Sequence, residues 1–180
     1  MANWAFTSYA IEGPVEVLRK IYSAILHPQI REGSSPGWEG NVCITLGATW
    51  KEGHTSEGGK YLRGFINGEP WFNENGTLRF DTEEAWGVTD FDEVLQDKFP
   101  DIKVYWVTEE PNMEVYRTND KEAKYFKDRY YIDTCVDGNY QSEYFTNEKS
   151  ALKWLSKITK GKVKSLKDRK STRLNSSHII

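Results

Sequence analysis

The sequence predicts an α+β fold in which an antiparallel sheet carries helices on one face. Stretches where apolar and polar residues alternate, as in half-buried strands, are separated by stretches with apolar residues three or four positions apart, as in helices. Most of the connections are short and rich in Gly, Asn, Asp and Pro, which suits hairpins and helix ends. The order begins with a strand, a helix and a hairpin, and it ends with a run of strands and one last helix.

The first predicted element is a strand over residues 3–12, where aromatic and β-branched residues are frequent. A Gly-Pro pair ends this strand and opens a helix, because proline is well suited to a first helical position. The apolar stripe of that helix is Leu18, Ile21, Tyr22 and Ile25.

The middle of the chain gives weaker patterns. Residues 29–60 are rich in loop-forming residues, and the segment 38–46 within them fits either a short helix or a strand. Residues 61–66 indicate a strand, and the Asn67-Gly68 pair is typical of the turn that would end it. A second Asn-Gly pair opens a strand over residues 78–86.

The second half of the chain returns to clear patterns. Asp90 and Glu93 have the spacing of a capping box and predict a helix that Pro100 ends. Residues 102–108 form the most apolar strand. The remaining predicted elements are strands over 113–117, 125–134 and 140–144 and a helix capped by Thr146 or Asn147 with the stripe Ala151, Trp154, Leu155 and Ile158.

The order β-α-(α)-β-β-α-β is the pattern of a split βαβ, or ferredoxin-like, unit. Such a unit has an antiparallel sheet, which the later strands and the C-terminal helix would extend. We therefore expect one α+β domain over residues 1–160 and a disordered tail over 161–180. The residues predicted to form the core are Trp4, Leu18, Ile21, Val104, Trp106, Leu152 and Leu155.

The opening MANWAFTSYAIEGPVEVLRKIYSAI resembles the N-termini of YubB-like, ferredoxin-like proteins of bacteria, plasmids and phages. These typically begin Met-x-Asn-Trp, continue as a strand and reach a helix through Gly-Pro or Gly-Asp. The later segments FDTEEAWG and DRYYIDTCVDGNYQSEYFTNEKSALKWL are similar to a recurrent gut-bacterial protein of that kind. The resemblance spans residues 1–160 and implies a fold and a phage or mobile-element setting, but no catalytic residue.

The last residues predict a separate origin for the tail. Residues Asp168 to His178 read DRKSTRLNSSH, which resembles the uninterrupted translation of a common sequencing-library adapter. We therefore expect the chain to be non-native from residue 168. The whole chain has a net charge of −3; residues 168–180 hold three basic residues and one acidic residue, so residues 1–167 have a net charge of −5. Nucleic acid is a poor partner for such a domain, because binding to phosphates needs Lys and Arg.

Several functional classes lack their sequence signals. No apolar run approaches the roughly 20 residues of a membrane span, and the N-terminus lacks the basic-then-apolar pattern of a signal peptide. Cys43 and Cys135 match no Cys-x-x-Cys spacing, which predicts free, buried thiols in a reducing cytoplasm. Neither a phosphate-binding loop nor a His-Glu-x-x-His or Gly-x-Ser-x-Gly motif occurs, and the histidines, His27, His54 and His178, fall in loops or the tail. No catalytic, cofactor-binding or metal-ligating residue is therefore assigned.

Acidic residues on two predicted strands form the candidate site. Alternation along the first strand places Asp81 and Glu83 on one face and Glu84 and Trp86 on the other. Converging carboxylates bind Mg²⁺ or Ca²⁺, or perform acid–base chemistry, whereas charges at a sheet edge only discourage aggregation. The candidate partner surface is Asp81, Glu83, Glu84, Trp86, Glu109 and Glu110.

The sequence thus predicts a non-enzymatic interaction module that binds a protein partner through an acidic, aromatic-rich surface. Aromatic residues supply contact area, and acidic residues steer basic partners. Two alternatives stay open. One is a small hydrolase or transferase that uses a divalent metal ion at the acidic cluster. The other is single-stranded nucleic-acid binding, in which aromatic strips such as KYFKDRYYIDT stack on bases.

Overall fold

The computed structural model describes residues 3–53, 57–110, 113, 115–165 and 178–179. Its helices are α1 Val15–Leu26, α2 Glu39–Thr45, α3 Phe91–Lys98 and α4 Glu148–Ile158. Its strands are β1 Trp4–Glu12, β2 Gly64–Phe72, β3 Leu78–Ala85, β4 Lys103–Glu110, β5 Val115–Thr118, β6 Tyr130–Val136, β7 Asn139–Phe145 and β8 His178–Ile179. These elements confirm the predicted α+β class.

The strands form two antiparallel sheets. The larger sheet has five strands in the order β2-β3-β1-β4-β5, with β1 at its centre. The smaller sheet has the order β7-β6-β8, in which β6 and β7 form a hairpin. The predicted antiparallel sheet, further strands and C-terminal helix are therefore confirmed.

The main hydrophobic core lies between the larger sheet and helices α1, α2 and α3. Every second residue of β1 points into it, as the period of a strand requires. Tyr9 occupies the centre, since its ring stacks on Phe80 with centroids 4.8 Å apart and meets the edge of Phe91 at 6.0 Å. The opposite face of the sheet, which we call the outer face, carries none of these three helices.

A second, smaller core joins the β6–β7 hairpin to α4. Its buried members are Ile132, Phe145, Ala151, Leu155 and Val163. The side chain of Asn147 caps α4 by accepting a hydrogen bond from the Ser150 amide at 2.9 Å, which decides between the two predicted caps.

The packed chain extends beyond the predicted domain end. Val163 is only 1% exposed, so the expectation of a disordered tail from residue 161 is wrong for its first residues, because this side chain completes the second core. Residues 168–177 of the predicted non-native segment lie outside the described residues. The backbone of His178 and Ile179 pairs with β6.

Four of the seven predicted core residues are fully buried: Leu18, Ile21, Val104 and Leu155. The prediction that Trp4 belongs to the core is wrong, because this residue lies at the start of β1 on the outer face and is 42% exposed. Trp106 is half-buried at the margin of the main core, where its indole N–H donates to Asp92 at 2.9 Å. Leu152 is also half-buried.

Two predictions about the ends of elements are wrong. The Asn67-Gly68 pair lies inside β2, where the register with β3 shifts, instead of ending the strand. Asp90 accepts a hydrogen bond from the Tyr61 amide at 2.7 Å and caps no helix, because its carboxylate ties a loop to the start of α3. The Asp137-Gly138 pair forms the turn between β6 and β7, since both residues take the positive φ angles, 52° and 80°, that a two-residue hairpin favours.

The remaining expectations concern cysteines, histidines and membranes. Both cysteines are free, and Cys43 is buried, but Cys135 is half-buried, because it lies near the end of the hairpin away from the second core. His54 lies outside the described residues. Within the described ranges, no helix has the length and apolar character that crossing a membrane requires.

We predict that Leu155→Ala lowers the free energy of unfolding by about 2–5 kcal/mol, because it removes a buried side chain and leaves a cavity in the second core. Urea unfolding measures this loss. The matched control is Leu152→Ala on the same helix, which should cost less because Leu152 is half-buried. A loss below about 0.5 kcal/mol for Leu155→Ala, a value typical of surface substitutions, would show that α4 is not docked.

Candidate functional site

The outer face of the larger sheet exposes aromatic side chains. On β1, Trp4 and Phe6 point to this face and are 42% and 49% exposed. The ring of Trp4 lies 5.9 Å from that of Phe65 on β2. Large exposed apolar groups that lie together mark surfaces for interaction more often than single ones do.

The strand register arranges aromatic and acidic residues in one row across this face. Phe6 pairs with Glu83 of β3 on one side and with Glu109 of β4 on the other. Glu83 pairs in turn with Phe65 of β2, and Glu109 pairs with Tyr116 of β5. Directly paired residues point to the same side of a sheet. All five strands therefore contribute to what we call the aromatic–acidic row: Phe65, Glu83, Phe6, Glu109 and Tyr116.

The carboxylates of the row have neutral partners. Glu83 accepts a hydrogen bond from the Asn67 amide group at 3.3 Å, and Glu109 accepts one from the Tyr144 hydroxyl at 2.6 Å. Asp81, which lies on the same face, accepts from Ser8 at 2.6 Å. Within the described part of the chain, none of these three acids takes part in an ion pair. The outer face therefore carries negative charge that a basic ligand can pair with.

A groove of about 500 Å³ runs beside the row. Five aromatic residues line it: Phe6, Tyr116, Tyr125, Phe126 and Tyr144. Its charged lining residues are Glu109, Asp128 and Lys127. Burial, followed by the hydrogen bond to Glu109, raises the pKa of Tyr144, so this phenol stays protonated and donates to the carboxylate. Burial and then the charge of Asp128 raise the pKa of Tyr116 to about 12. The groove thus offers neutral rings beside charged carboxylates.

The wall formed by the segment between β5 and β6 is held in place by Asp120. Its carboxylate accepts hydrogen bonds from the amides of Lys124, Tyr125 and Phe126 at 3.1, 2.7 and 2.9 Å. The Arg79 guanidinium then lies over both aromatic rings of this wall, 5.0 and 5.1 Å from their centroids. These contacts fix Tyr125 and Phe126 on the outer face before any ligand binds.

A pair of buried carboxyl groups lies on the opposite, core-facing side. Glu84 is fully buried, and it accepts four hydrogen bonds, from the hydroxyls of Tyr9 at 2.6 Å, Thr82 at 2.7 Å and Thr7 at 3.0 Å and from the Thr89 amide at 3.0 Å. Four donors use all the acceptor positions of a carboxylate. This environment fits an ionised Glu84.

Glu39, the first residue of α2, is the second buried carboxyl group. One of its oxygens, Oε1, accepts from the Gly64 amide at 3.0 Å, while Oε2 has no hydrogen bond among the described residues. A Cβ at position 64 would lie 2.4 Å from Glu39 Oε2 and 2.7 Å from Glu84 Cγ, so only glycine fits between the two side chains.

The two carboxyl groups compete for charge. Burial, and then the nearby charge of Glu84, raises the pKa of Glu39 well above its ordinary value, and burial also raises the pKa of Glu84. Because Glu84 has the four donors, we place the proton on Glu39. The hydroxyl of Thr89 is likewise buried, and it lies beside Glu39 without the geometry of a full hydrogen bond.

The structure divides the six residues of the predicted partner surface. Asp81, Glu83 and Glu109 lie together on the outer face. The prediction is wrong for Glu84 and Glu110, which are 0% and 6% exposed. Because side chains alternate along a strand, both of these residues point inwards. Trp86 is 57% exposed, but it follows the end of β3 with a φ of 62° and stacks with Arg63, so it does not share a face with Glu84.

Sequence reasoning missed half of the site. The missed residues are Phe6, Phe65, Tyr116, Tyr144 and Glu39. Phe6 had a usable signal, since alternation along β1 separates it from the core positions Thr7 and Tyr9. The other residues are brought to the site by strand pairing and helix packing between distant parts of the chain.

No group of three or more His, Cys, Asp or Glu side chains is arranged to hold a metal ion within the described ranges. Comparisons of the chain with protein-family models, with curated proteins and with solved structures find no match. The properties of the site therefore rest on its own geometry.

We predict that Glu39→Gln removes a pH-dependent loss of stability. A carboxyl group whose pKa is raised in the folded state contributes fully to stability below the pKa that it has in the unfolded chain, ordinarily 4.5. This contribution is lost as pH rises through the pKa of the folded state. The free energy of unfolding of the wild type should therefore fall from pH 5 upwards through this group, whereas glutamine keeps the shape and does not ionise.

Urea unfolding of both proteins between about pH 5 and pH 9 measures this difference. The free energy of unfolding of the variant should increase steadily relative to that of the wild type as pH rises. Glu32→Gln, at an exposed position, is the matched control and should leave the wild-type slope unchanged. Parallel pH profiles for Glu39→Gln and the wild type would contradict the raised pKa of Glu39 and the proton placed on it.

Proposed function

We propose that the protein is a non-enzymatic interaction module that binds a basic protein partner on the aromatic–acidic row and its groove. The observation that carries this proposal is the alternation of rings and carboxylates across five strands. Neighbouring strands lie about 4.7–4.9 Å apart, so Glu83 and Glu109 lie about 10 Å apart with Phe6 between them. A Lys or Arg side chain placed there meets a carboxylate and an aromatic face together.

The chemistry of this face favours a protein over a nucleic acid. Cations are attracted both to carboxylates and to the faces of aromatic rings. Aromatic residues on a sheet also stack on bases, but Asp81, Glu83 and Glu109 stand among them and repel phosphates. Charges at such a surface act mainly on the rate of association and on the choice of partner.

We extend the proposal to the topology and the setting. The order β2-β3-β1-β4, with α1 leading from β1 towards β2 and α3 joining β3 to β4, supports a ferredoxin-like split βαβ unit to which α2, β5 and the hairpin are added. The phage or mobile-element setting rests on the resemblance of the N-terminal residues. The two free cysteines support a reducing compartment.

We predict that the double variant Glu83→Gln/Glu109→Gln binds basic peptides more weakly. Peptides selected from a random display library on the immobilised wild-type protein should be enriched in Lys and Arg next to apolar residues. Their dissociation constants should rise about fivefold to thirtyfold in the variant, as expected for the loss of one or two kcal/mol, and fluorescence anisotropy measures them.

The control variant Glu16→Gln/Glu32→Gln changes the net charge equally at exposed positions outside the row. Its dissociation constants should stay near those of the wild type. Selected peptides without basic residues, or an equal loss of affinity in the control variant, would contradict binding at the row.

A further inference from the structure

The strand β7 has an unprotected edge. Exposed edges usually carry devices that prevent pairing, such as proline, lysine, a bulge or a short length. β2 contains Pro70 and a register shift, β5 has only four residues, and β6 pairs with β8 at Ile132 and Asp133. Within the described residues, β7 pairs with β6 alone; it has seven residues, contains neither Lys nor Pro, and pairs without a register shift.

The side chains of β7 are also mostly exposed, as expected for a strand at the edge of a sheet. Its first six residues are exposed, and only Phe145 turns into the second core. Tyr140 is 79% exposed and Tyr144 is 43% exposed. The backbone along this edge is therefore open to an incoming strand.

β7 borders the groove beside the aromatic–acidic row. Tyr144 donates to Glu109 and lines the groove together with Phe6. The ring of Tyr144 also lies 5.8 Å from that of Tyr116 on β5, and its cross-strand partner Tyr131, on β6, lies 6.3 Å from the same ring. The hairpin therefore packs on the β4–β5 end of the row.

We infer that an extended, basic segment of the partner adds to the free edge of β7 as a strand and brings basic side chains to Glu109 at this end of the aromatic–acidic row. This inference rests on the proposed function of the row. Strand addition supplies affinity through backbone hydrogen bonds and specificity through every second side chain. Side chains on one face of a strand recur about every 6.6–6.8 Å, so a segment with Lys or Arg at every second position presents all its charges on one face.

Charge favours a basic strand. The row carries Glu83 and Glu109, β7 itself carries Glu143, and the chain as a whole has a net charge of −3. A second copy of this chain would bring another β7 with Glu143 and no basic residue to the same edge. A basic segment instead brings the opposite charge to Glu109 and Glu143.

The test uses the full chain and two synthetic peptides, acetyl-Thr-Lys-Val-Lys-Val-Lys-Thr-amide and the same peptide with Glu in place of Lys. Fluorescence anisotropy measures affinity, and amide hydrogen exchange followed by NMR locates the bound peptide. We expect the Lys peptide to bind about tenfold or more tightly than the Glu peptide. We also expect it to slow exchange of alternate amides within residues 139–145 by about fivefold or more, because an added strand bonds every second N–H of an edge.

The possible outcomes separate the two proposals. If the Lys peptide binds and Glu83→Gln/Glu109→Gln weakens it, but exchange in β7 is unchanged, strand addition is wrong while the function of the row stands. Equal binding of the two peptides, or none, overturns both. If β7 amides are protected without peptide and sedimentation velocity shows a dimer that forms with rising concentration, the edge pairs with a second copy and the inference fails.

Discussion

The pairing register of β1 with β3 and β4 is the constraint on which the rest of the structure depends. It places Phe6 between Glu83 and Glu109 on the outer face. The next residue, Thr7, points inwards and donates to Glu84. Because side chains alternate, a slip of one residue would bury Phe6 and expose Thr7, and would dissolve the row and the buried network together.

Tyr9 joins the apolar core to the buried carboxyl network on the inward face of β1. Its ring stacks on Phe80 in the main core, and its hydroxyl donates to Glu84 at 2.6 Å. A buried carboxylate is costly unless its hydrogen bonds are complete, and a complete network admits few alternative packings. The register is therefore held by apolar packing along β1 and by the complete set of hydrogen bonds to Glu84. A ligand that binds to such a sheet would meet a surface that is already ordered, which reduces the entropic cost of binding.

Alternation along single strands was enough to predict the α+β class, the apolar stripe of α1 and the shared face of Asp81 and Glu83. It was not enough to predict which strands pair, because Phe6 and Glu109 meet across about a hundred residues of chain. The burial of Glu84 was missed because polarity suggests exposure, whereas three hydroxyls and one amide satisfy this carboxylate inside the core. Asn67-Gly68 misled for a similar reason: pairing with β3 resumes beyond it, so the pair is absorbed as an irregularity in β2.

The register is tested most directly by nuclear Overhauser contacts in isotope-labelled protein at neutral pH. We expect contacts from the Phe6 ring protons to the side-chain methylene protons of both Glu83 and Glu109. We also expect contacts from the Thr7 methyl group to the Glu84 methylene protons. Contacts of Thr7, in place of Phe6, with Glu83 and Glu109 would mean that β1 is shifted by one residue, and the row would not exist.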